Sequence, residues 1–199
     1  PNYVHGYMNN SGFEDVRTAI AAHESKKHNM DLSFESIVMT VGAAGGLNIV
    51  FKTLLNPGDE VITFAPFFGE YKSYAANYDA HLVVVAADID TFEPNIDALK
   101  SAITPKTKIV IVNSPNNPTG VIYSDSALAK LADVLREKEK EYGIDIFLVS
   151  DEPYREIVYD DVKVPCLLKY YKNTIVGYSY SKSLSLPGER IGYLVVHPE

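Results

Sequence analysis

The chain has 199 residues, which is enough for one well-packed α/β domain, and its formal net charge is −8. That charge argues against nucleic acid or an acidic membrane surface as a partner. No apolar run approaches the roughly 20 residues of a membrane span. Cys166 is the only cysteine, so no disulfide can form within the chain and a cytoplasmic location is expected. The chain starts at Pro1, and we expect it to be part of a longer protein.

Apolar, β-rich runs alternate along the chain with segments of helical periodicity. The predicted strands are Ile37–Val41, Glu60–Phe64, His81–Ala86, Lys108–Asn113, Asp145–Ser150, Thr174–Tyr178 and Ile191–Val196. The predicted helices are Phe13–His28, Gly45–Leu55, Phe68–Tyr78, Ile96–Ala102 and Ser124–Tyr142. Most of the strands are continuous apolar runs, which is typical of strands covered on both faces. The alternation predicts one three-layer α/β/α domain with a mostly parallel sheet and right-handed crossovers.

Polar or small-residue segments directly follow several of the predicted strands. They are Gly42–Gly46, Asn113–Gly120, Asp151–Tyr154 and Ser179–Lys182. Because open parallel sheets bind ligands beyond the carboxyl ends of their strands, we expect these segments to meet at one site.

Lys182 follows the sixth strand among hydroxyl side chains, and Arg190 comes eight residues later. A partly desolvated lysine loses its proton and can then attack an aldehyde to form a Schiff base. Ser179 and Arg190 are suited to bind a phosphate. Taken alone, Lys182 is more simply interpreted as a solvated surface charge, as most lysines are.

Asp151 follows an apolar run, where a carboxylate is costly unless a cation or hydrogen-bond donors meet it. A protonated pyridine nitrogen would be such a cation, whereas the simpler interpretation is a helix N-cap. The small residues at Gly42–Gly46 would let backbone amides at a helix start approach an anion, or form a plain tight turn.

Three further side chains are candidates for the same site. Asn116 and Asn117 lie between two prolines, so that one of these side chains could donate a hydrogen bond in a fixed direction, although a plain turn explains the segment equally well. Tyr154 could add a phenol three residues after Asp151. Phe68 could offer a flat face to an aromatic ring, although a core position explains it as well. The five histidines show no metal-ligand spacing, so no metal site is expected.

Taken in order, four segments resemble the class I/II aminotransferases, which depend on pyridoxal 5′-phosphate (PLP). They are Leu54–Val61 (LLNPGDEV), Ser114–Gly120 (SPNNPTG), Asp151–Tyr154 (DEPY), and Ser179–Lys182 (SYSK) with Arg190–Gly192 (RIG). The resemblance runs along essentially the whole chain. It implies the fold type I large domain over residues 1–199, with a seven-stranded sheet whose last strand is antiparallel. The N-terminal arm and C-terminal small domain of the family are absent.

The resemblance also implies a role for each matching residue. Lys182 would be the Schiff-base lysine and proton shuttle, and Asp151 would pair with the pyridine nitrogen. Asn117 and Tyr154 would donate to the phenolate oxygen of the ring, and Phe68 would stack on it. The phosphate cup would comprise the Ala43 and Ala44 amides with the side chains of Ser179 and Arg190. Tyr7 would reach the phosphate of a partner subunit in a homodimer.

The expected activity is therefore transfer of an amino group between an α-amino acid, such as aspartate or an aromatic amino acid, and a 2-oxo acid. Two alternatives stay open at this point. One is another PLP reaction on the same fold, such as that of a β-lyase, decarboxylase or synthase. The other is a non-enzymatic cofactor-binding domain of a regulator. Because the family's carboxylate-binding arginine lies in the absent domain, the isolated chain is expected to have little or no activity.

Overall fold

In the computed structural model, residues 6–198 are described, and they form one mixed sheet with helices on both faces. The strands are β1 (Ile37–Val41), β2 (Glu60–Ala65), β3 (His81–Ala86), β4 (Thr107–Asn113), β5 (Phe147–Asp151), β6 (Thr174–Ser179) and β7 (Ile191–Val196). The helices are α1 (Glu14–His28), α2 (Gly42–Leu54), α3 (Tyr71–Ala76), α4 (Ile96–Ala102), α5 (Asp125–Tyr142) and α6 (Tyr180–Ser183).

The seven strands lie in the order β1-β7-β6-β5-β4-β2-β3. Every pairing is parallel except the two made by β7, which runs antiparallel to both β1 and β6. The predicted fold class is confirmed, including the reversed last strand. Strand β7 is internal to the sheet, where it lies between β1 and β6. The chain reaches it from β6 through the short α6 segment.

Apolar side chains cover both faces of the sheet. On one face, α2 and α3 pack over β2, β4 and β5, with Leu47, Phe51 and Tyr71 at the centre. On the other face, α4 and α5 cover one half of the sheet and α1 covers β1, β6 and β7. This burial on both faces explains the continuous apolar runs in the strand sequences.

Local sequence signals account for most element ends. Ser124 caps α5, its side chain accepting from the Ala127 amide at 3.2 Å, and Gly143 ends the helix in the left-handed region at φ 65°. Asn95 caps α4 in the same way at 3.0 Å. Within the described part of the chain, the helices are all too short or too polar to cross a bilayer.

Several predicted boundaries differ from the observed ones, and helix α6 was not predicted. Three of the differences concern the residues that follow the strands. Helix α2 begins at Gly42 rather than Gly45, so the small-residue segment is the first turn of the helix and not a turn before it. Helix α3 covers only Tyr71–Ala76, because Phe68 and Gly69 remain in the turn that leads into it. Strand β5 ends on Asp151, which places this carboxylate on the sheet itself and not at a helix start.

Candidate active site

The carboxyl ends of β4, β5 and β6 meet at one cavity of about 310 Å³. All of the predicted site residues line this cavity except Tyr7. The lining side chains are Ala43, Ala44, Leu47, Phe68, Glu70, Tyr74, Asn113, Asn117, Asp151, Pro153, Tyr154, Ser179, Ser181, Lys182, Pro187 and Arg190. The four segments that are scattered along the sequence therefore come together as a parallel sheet requires.

Asp151 lies at the floor of the cavity and is 6% exposed. Its Oδ2 atom accepts a hydrogen bond from the Tyr71 hydroxyl at 2.7 Å, whereas its Oδ1 atom is buried and meets no donor among the described residues. Burial raises the pKa of Asp151 to about 6; the Tyr71 hydroxyl opposes the shift and the nearby Glu152 adds to it. A carboxylate with one bonded and one free oxygen is suited to a cationic N–H donor in the cavity.

Asn113 connects the β4 end to the β5 end. It pairs with Asp151 in the parallel register, and its Nδ2 donates to the Asp151 carbonyl at 2.7 Å. Its Oδ1 accepts from the Asn117 amide at 2.6 Å, which positions the loop after β4. Burial, followed by the charge of Asp151, raises the pKa of the Tyr154 phenol, and the Asn117 side chain opposes this shift. The two predicted donors thus lie together.

Lys182 lies in α6, with its Nζ 5.9 Å from the centre of the Tyr154 ring. The lysine is exposed in this structure. Helix α6 is only four residues long, and nothing in the described residues covers its outer side. The role of Lys182 as the Schiff-base lysine stays a prediction.

The first turn of α2 and Arg190 form the opposite end of the cavity. Gly42 has φ +69°, and a Cβ placed on it would lie 2.8 Å from Arg190 Nη2. A Cβ on Gly192 would lie 2.5 Å from the Tyr178 carbonyl and 2.9 Å from the Gly42 carbonyl carbon. Only glycine at these two positions lets β7 pack closely enough to bring a guanidinium to a helix start. Such a pairing favours a dianion such as phosphate.

Ser179 ends β6 and forms local hydrogen bonds rather than pointing freely into the cavity. Its Oγ accepts from the Ser181 amide at 3.1 Å and donates to the Ser181 hydroxyl at 2.7 Å. Sequence analysis did not single out Ser181, which lines the same cavity. The pair presents two hydroxyls next to Arg190, as expected for an anion site.

Phe68 lies half-buried in the cavity wall, edge-on to Tyr71 with their ring centroids 5.7 Å apart. Tyr7 is fully exposed and lies away from the cavity. Its predicted contact with a partner subunit therefore stays a prediction.

Three polar residues besides Ser181 line the cavity without having been assigned a role: Glu70, Tyr74 and Asn113. Tyr71, which bonds Asp151 from outside the lining, was not assigned one either. Tyr74 donates to Glu70 at 3.2 Å, and burial followed by this carboxylate raises the pKa of Tyr74 to about 12. The sequence could have indicated the two tyrosines, because Tyr71 and Tyr74 follow Phe68 at helical spacing. Asn113 is likewise a polar residue that closes an apolar strand. Within residues 6–198, no three His, Cys, Asp or Glu side chains are arranged to hold a metal ion.

The cavity thus has an acid on its floor, an amine and a phenol near its mouth, and an anion site at one end. This arrangement fits a flat heteroaromatic ring that carries a cationic nitrogen, an aldehyde and a phosphate. The free Oδ1 of Asp151 and the Gly42–Arg190 contact are the two features that fit PLP most specifically.

Comparisons with known proteins agree with this geometry. The family model "Aminotransferase class I and II" matches residues 2–199. The chain is 31% identical to an aspartate aminotransferase from Pyrococcus horikoshii, over 95% of the chain and 47% of that protein. It is 34% identical to a probable N-acetyl-LL-diaminopimelate aminotransferase from Bacillus subtilis, over 96% of the chain and 47% of that protein.

Solved structures give the same result. An aminotransferase from Eubacterium rectale superposes with a TM-score of 0.94 at 50% identity, covering 96% of this chain and 48% of that one. Aspartate aminotransferase from Thermus thermophilus with maleate superposes with a TM-score of 0.88 at 30% identity, covering 96% and 49%. The chain therefore spans about half the length of the relatives that it matches.

Proposed function

Because the chain belongs to the class I and II aminotransferase family, we propose that the protein carrying it is a PLP-dependent aminotransferase. The reaction is transfer of an amino group from an α-amino acid to a 2-oxo acid in two half-reactions. Residues 1–199 are its large cofactor-binding domain. The observation that carries the proposal is the buried, free Oδ1 of Asp151 in the same cavity as Lys182.

When bound, PLP supplies an aldehyde that bonds amines and a cationic ring that withdraws electrons from the substrate Cα. Asp151 Oδ1 would accept a hydrogen bond from the protonated ring nitrogen, while the Tyr71 hydroxyl donates to Oδ2 and keeps that oxygen in place. Burial raises the pKa of Asp151 to about 6, and a cationic group beside the carboxyl would oppose this shift and favour its ionised form.

Lys182 Nζ would supply the amine that anchors the cofactor. Once the substrate amine displaces it, this amine would carry a proton from the substrate Cα to the carbon of the former aldehyde. Tyr154 and Asn117 would orient the ring from its oxygen side. The amides of Ala43 and Ala44, the hydroxyls of Ser179 and Ser181 and the guanidinium of Arg190 would hold the phosphate.

Aspartate is the first substrate to test, because the relatives include proteins named aspartate aminotransferases. We propose a homodimer in which Tyr7 contacts the phosphate of the partner subunit. We also propose a cytoplasmic location, since the single thiol, Cys166, has no disulfide partner in the chain.

The complete protein that carries this sequence should be assayed with PLP, a panel of amino acids and a 2-oxo acid. A new amino acid and a new 2-oxo acid should form in equal amounts. The Lys182→Ala variant should be slower by at least about 100-fold, since it lacks the proton-transfer group. Release of ammonia or carbon dioxide instead would identify a lyase or decarboxylase. Cofactor binding without turnover would favour a regulator.

A further inference from the structure

A buried polar cluster lies behind the sheet, on the face opposite the cavity. We call it the rear cluster, and it consists of Glu24 and His28 from α1, Glu152 and Arg155 from the turn after β5, Tyr178 from β6, and Tyr193 from β7. Asp151, the last residue of β5, lines the cavity, whereas the next residue, Glu152, bonds Arg155 in the rear cluster. The proposed reaction uses no member of the rear cluster.

Arg155 is the centre of the rear cluster and is 4% exposed. Its Nη2 donates to Glu24 Oε1 at 2.6 Å and to the Tyr193 hydroxyl at 2.8 Å. Its Nη1 donates to Glu152 Oε2 at 3.3 Å, and the guanidinium carbon lies 4.2 Å from the centre of the Tyr178 ring. Three elements and the turn thus hold one buried cation in place.

The carboxylates are equally enclosed, with Glu24 1% and Glu152 2% exposed. Burial opposes ionisation of Glu24, but His28 and Arg155 hold its pKa down at about 2. The Tyr193 hydroxyl donates to Glu24 Oε1 at 2.9 Å, and Ser150 donates to Glu152 Oε1 at 2.7 Å. A charge network of this kind has little freedom to move, because breaking any contact leaves a buried ion unpaired.

The same turn carries residues of the cavity on its other side. Tyr154 is the residue directly before Arg155, and Asp151 is the residue directly before Glu152. The Glu152 amide donates to the Gly177 carbonyl at 2.8 Å, so the start of the turn is fixed to β6. Among the described residues, no backbone hydrogen bond joins Tyr154 or Arg155 to a strand, and the guanidinium of Arg155 fixes this end of the turn through Glu24 and Tyr193.

We propose that Arg155 is a positioning residue for Tyr154. Its guanidinium, held by Glu24 and Glu152, sets where the Tyr154 phenol lies in the cavity, so that α1 influences a site it does not line. The inference rests on the proposed use of PLP, because Tyr154 is the side chain through which the effect reaches the cofactor.

A double-mutant cycle in the complete protein tests this proposal, with the dissociation constant of PLP and the pH midpoint of its absorption band as readouts. Arg155→Lys keeps the charge and loses the fork geometry. It should weaken PLP binding about tenfold and shift the band midpoint in the direction that Tyr154→Phe does. In the Tyr154→Phe background, Arg155→Lys should have no further effect on either quantity.

Two more variants keep the result interpretable. Glu24→Gln removes the anchor's charge from α1 with little change of shape and should move both readouts the same way, even if Arg155→Lys folds poorly. Tyr171→Phe is the control for stability alone, because this buried hydroxyl donates to the Ile146 carbonyl at 2.8 Å and does not line the cavity. It should lower stability and leave PLP affinity and the band unchanged.

Effects of Arg155→Lys and Tyr154→Phe that simply multiply, or a cofactor band that does not move, would overturn the proposal and leave the proposed function intact. A wild-type protein that does not bind PLP would remove the proposed function and this inference with it. The two failures are therefore distinguishable.

Discussion

At the scale of single residues, the site depends on a carboxylate that is costly to bury. Asp151 lies within the sheet with one oxygen bonded and one free, and desolvation raises its pKa from 3.8 to about 6. A carboxyl group that ionises more easily in the unfolded chain than in the folded one lowers the free energy of unfolding at pH values where it is ionised. The acid is therefore held in place for binding at the expense of folding stability.

The pH dependence of stability follows from this shift. The stabilising contribution of Asp151 to the free energy of unfolding is fully present below its unfolded pKa of 3.8. It is lost as the pH rises through about 6, the pKa in the folded chain. Without PLP, Asp151→Asn should therefore gain about 2 kcal/mol of unfolding free energy relative to wild type between pH 4 and pH 8. Urea unfolding of both proteins at the two pH values measures this. A difference that does not vary with pH would contradict it.

Residue types predicted most of the site, and geometry was needed for the rest. Asp151, Asn117, Tyr154 and Arg190 line the cavity as their segments suggested. Tyr71 was not assigned a role, because the residue that it bonds lies 80 positions away in the chain. The exposure of Lys182 was also beyond local reasoning, since it depends on how little surrounds α6.

At the scale of elements, the junction of α2 with β7 forms the anion site. Strand β7 enters the sheet between β1 and β6, and Gly192 and Gly42 let its start lie against the α2 N-terminus. This packing sets the position of Arg190, the residue directly before β7. The backbone of Arg190 lies in the left-handed region at φ 53°. The sequence suggested a small-residue turn here but not the strand that packs on it.

Gly42→Ala should weaken phosphate and PLP binding at least about tenfold, because the new Cβ would lie 2.8 Å from Arg190 Nη2 and push the guanidinium away. Gly58→Ala is a matched control, since Gly58 also has positive φ (+87°) but a Cβ added there would meet no atom within 4 Å. Both variants should lose stability through backbone strain, of order 1–3 kcal/mol. Titration calorimetry with inorganic phosphate and with PLP separates them. Equal affinity losses in the two variants would refute the role of the Gly42–Arg190 contact.

At the scale of the whole molecule, alternating strands and helices predicted the three-layer fold, because continuous apolar strands must be covered on both faces. The order β1-β7-β6-β5-β4-β2-β3 could not be obtained that way. It depends on contacts between strands far apart in sequence, such as β1 with β7, that no local pattern encodes.

We propose that an exposed apolar surface forms part of the homodimer interface. Val41 and Ile191 are cross-strand partners and both are exposed, as are Leu184 and Leu186 between α6 and β7. Leu184→Lys should weaken self-association of the complete protein at least about tenfold, because a charge would be buried in an apolar contact. Ile89→Lys is the control, at an exposed position in the segment after β3. Sedimentation at several concentrations measures this, and equal association of both variants and wild type would exclude this surface from the interface.

The most direct test of the account is reduction of the complete protein with borohydride in the presence of PLP, followed by peptide mass spectrometry. We expect one phosphopyridoxyl group, on Lys182, and none in the Lys182→Ala variant. A label on another lysine, or an unlabelled wild-type protein, would contradict the assignment of this cavity as the cofactor site.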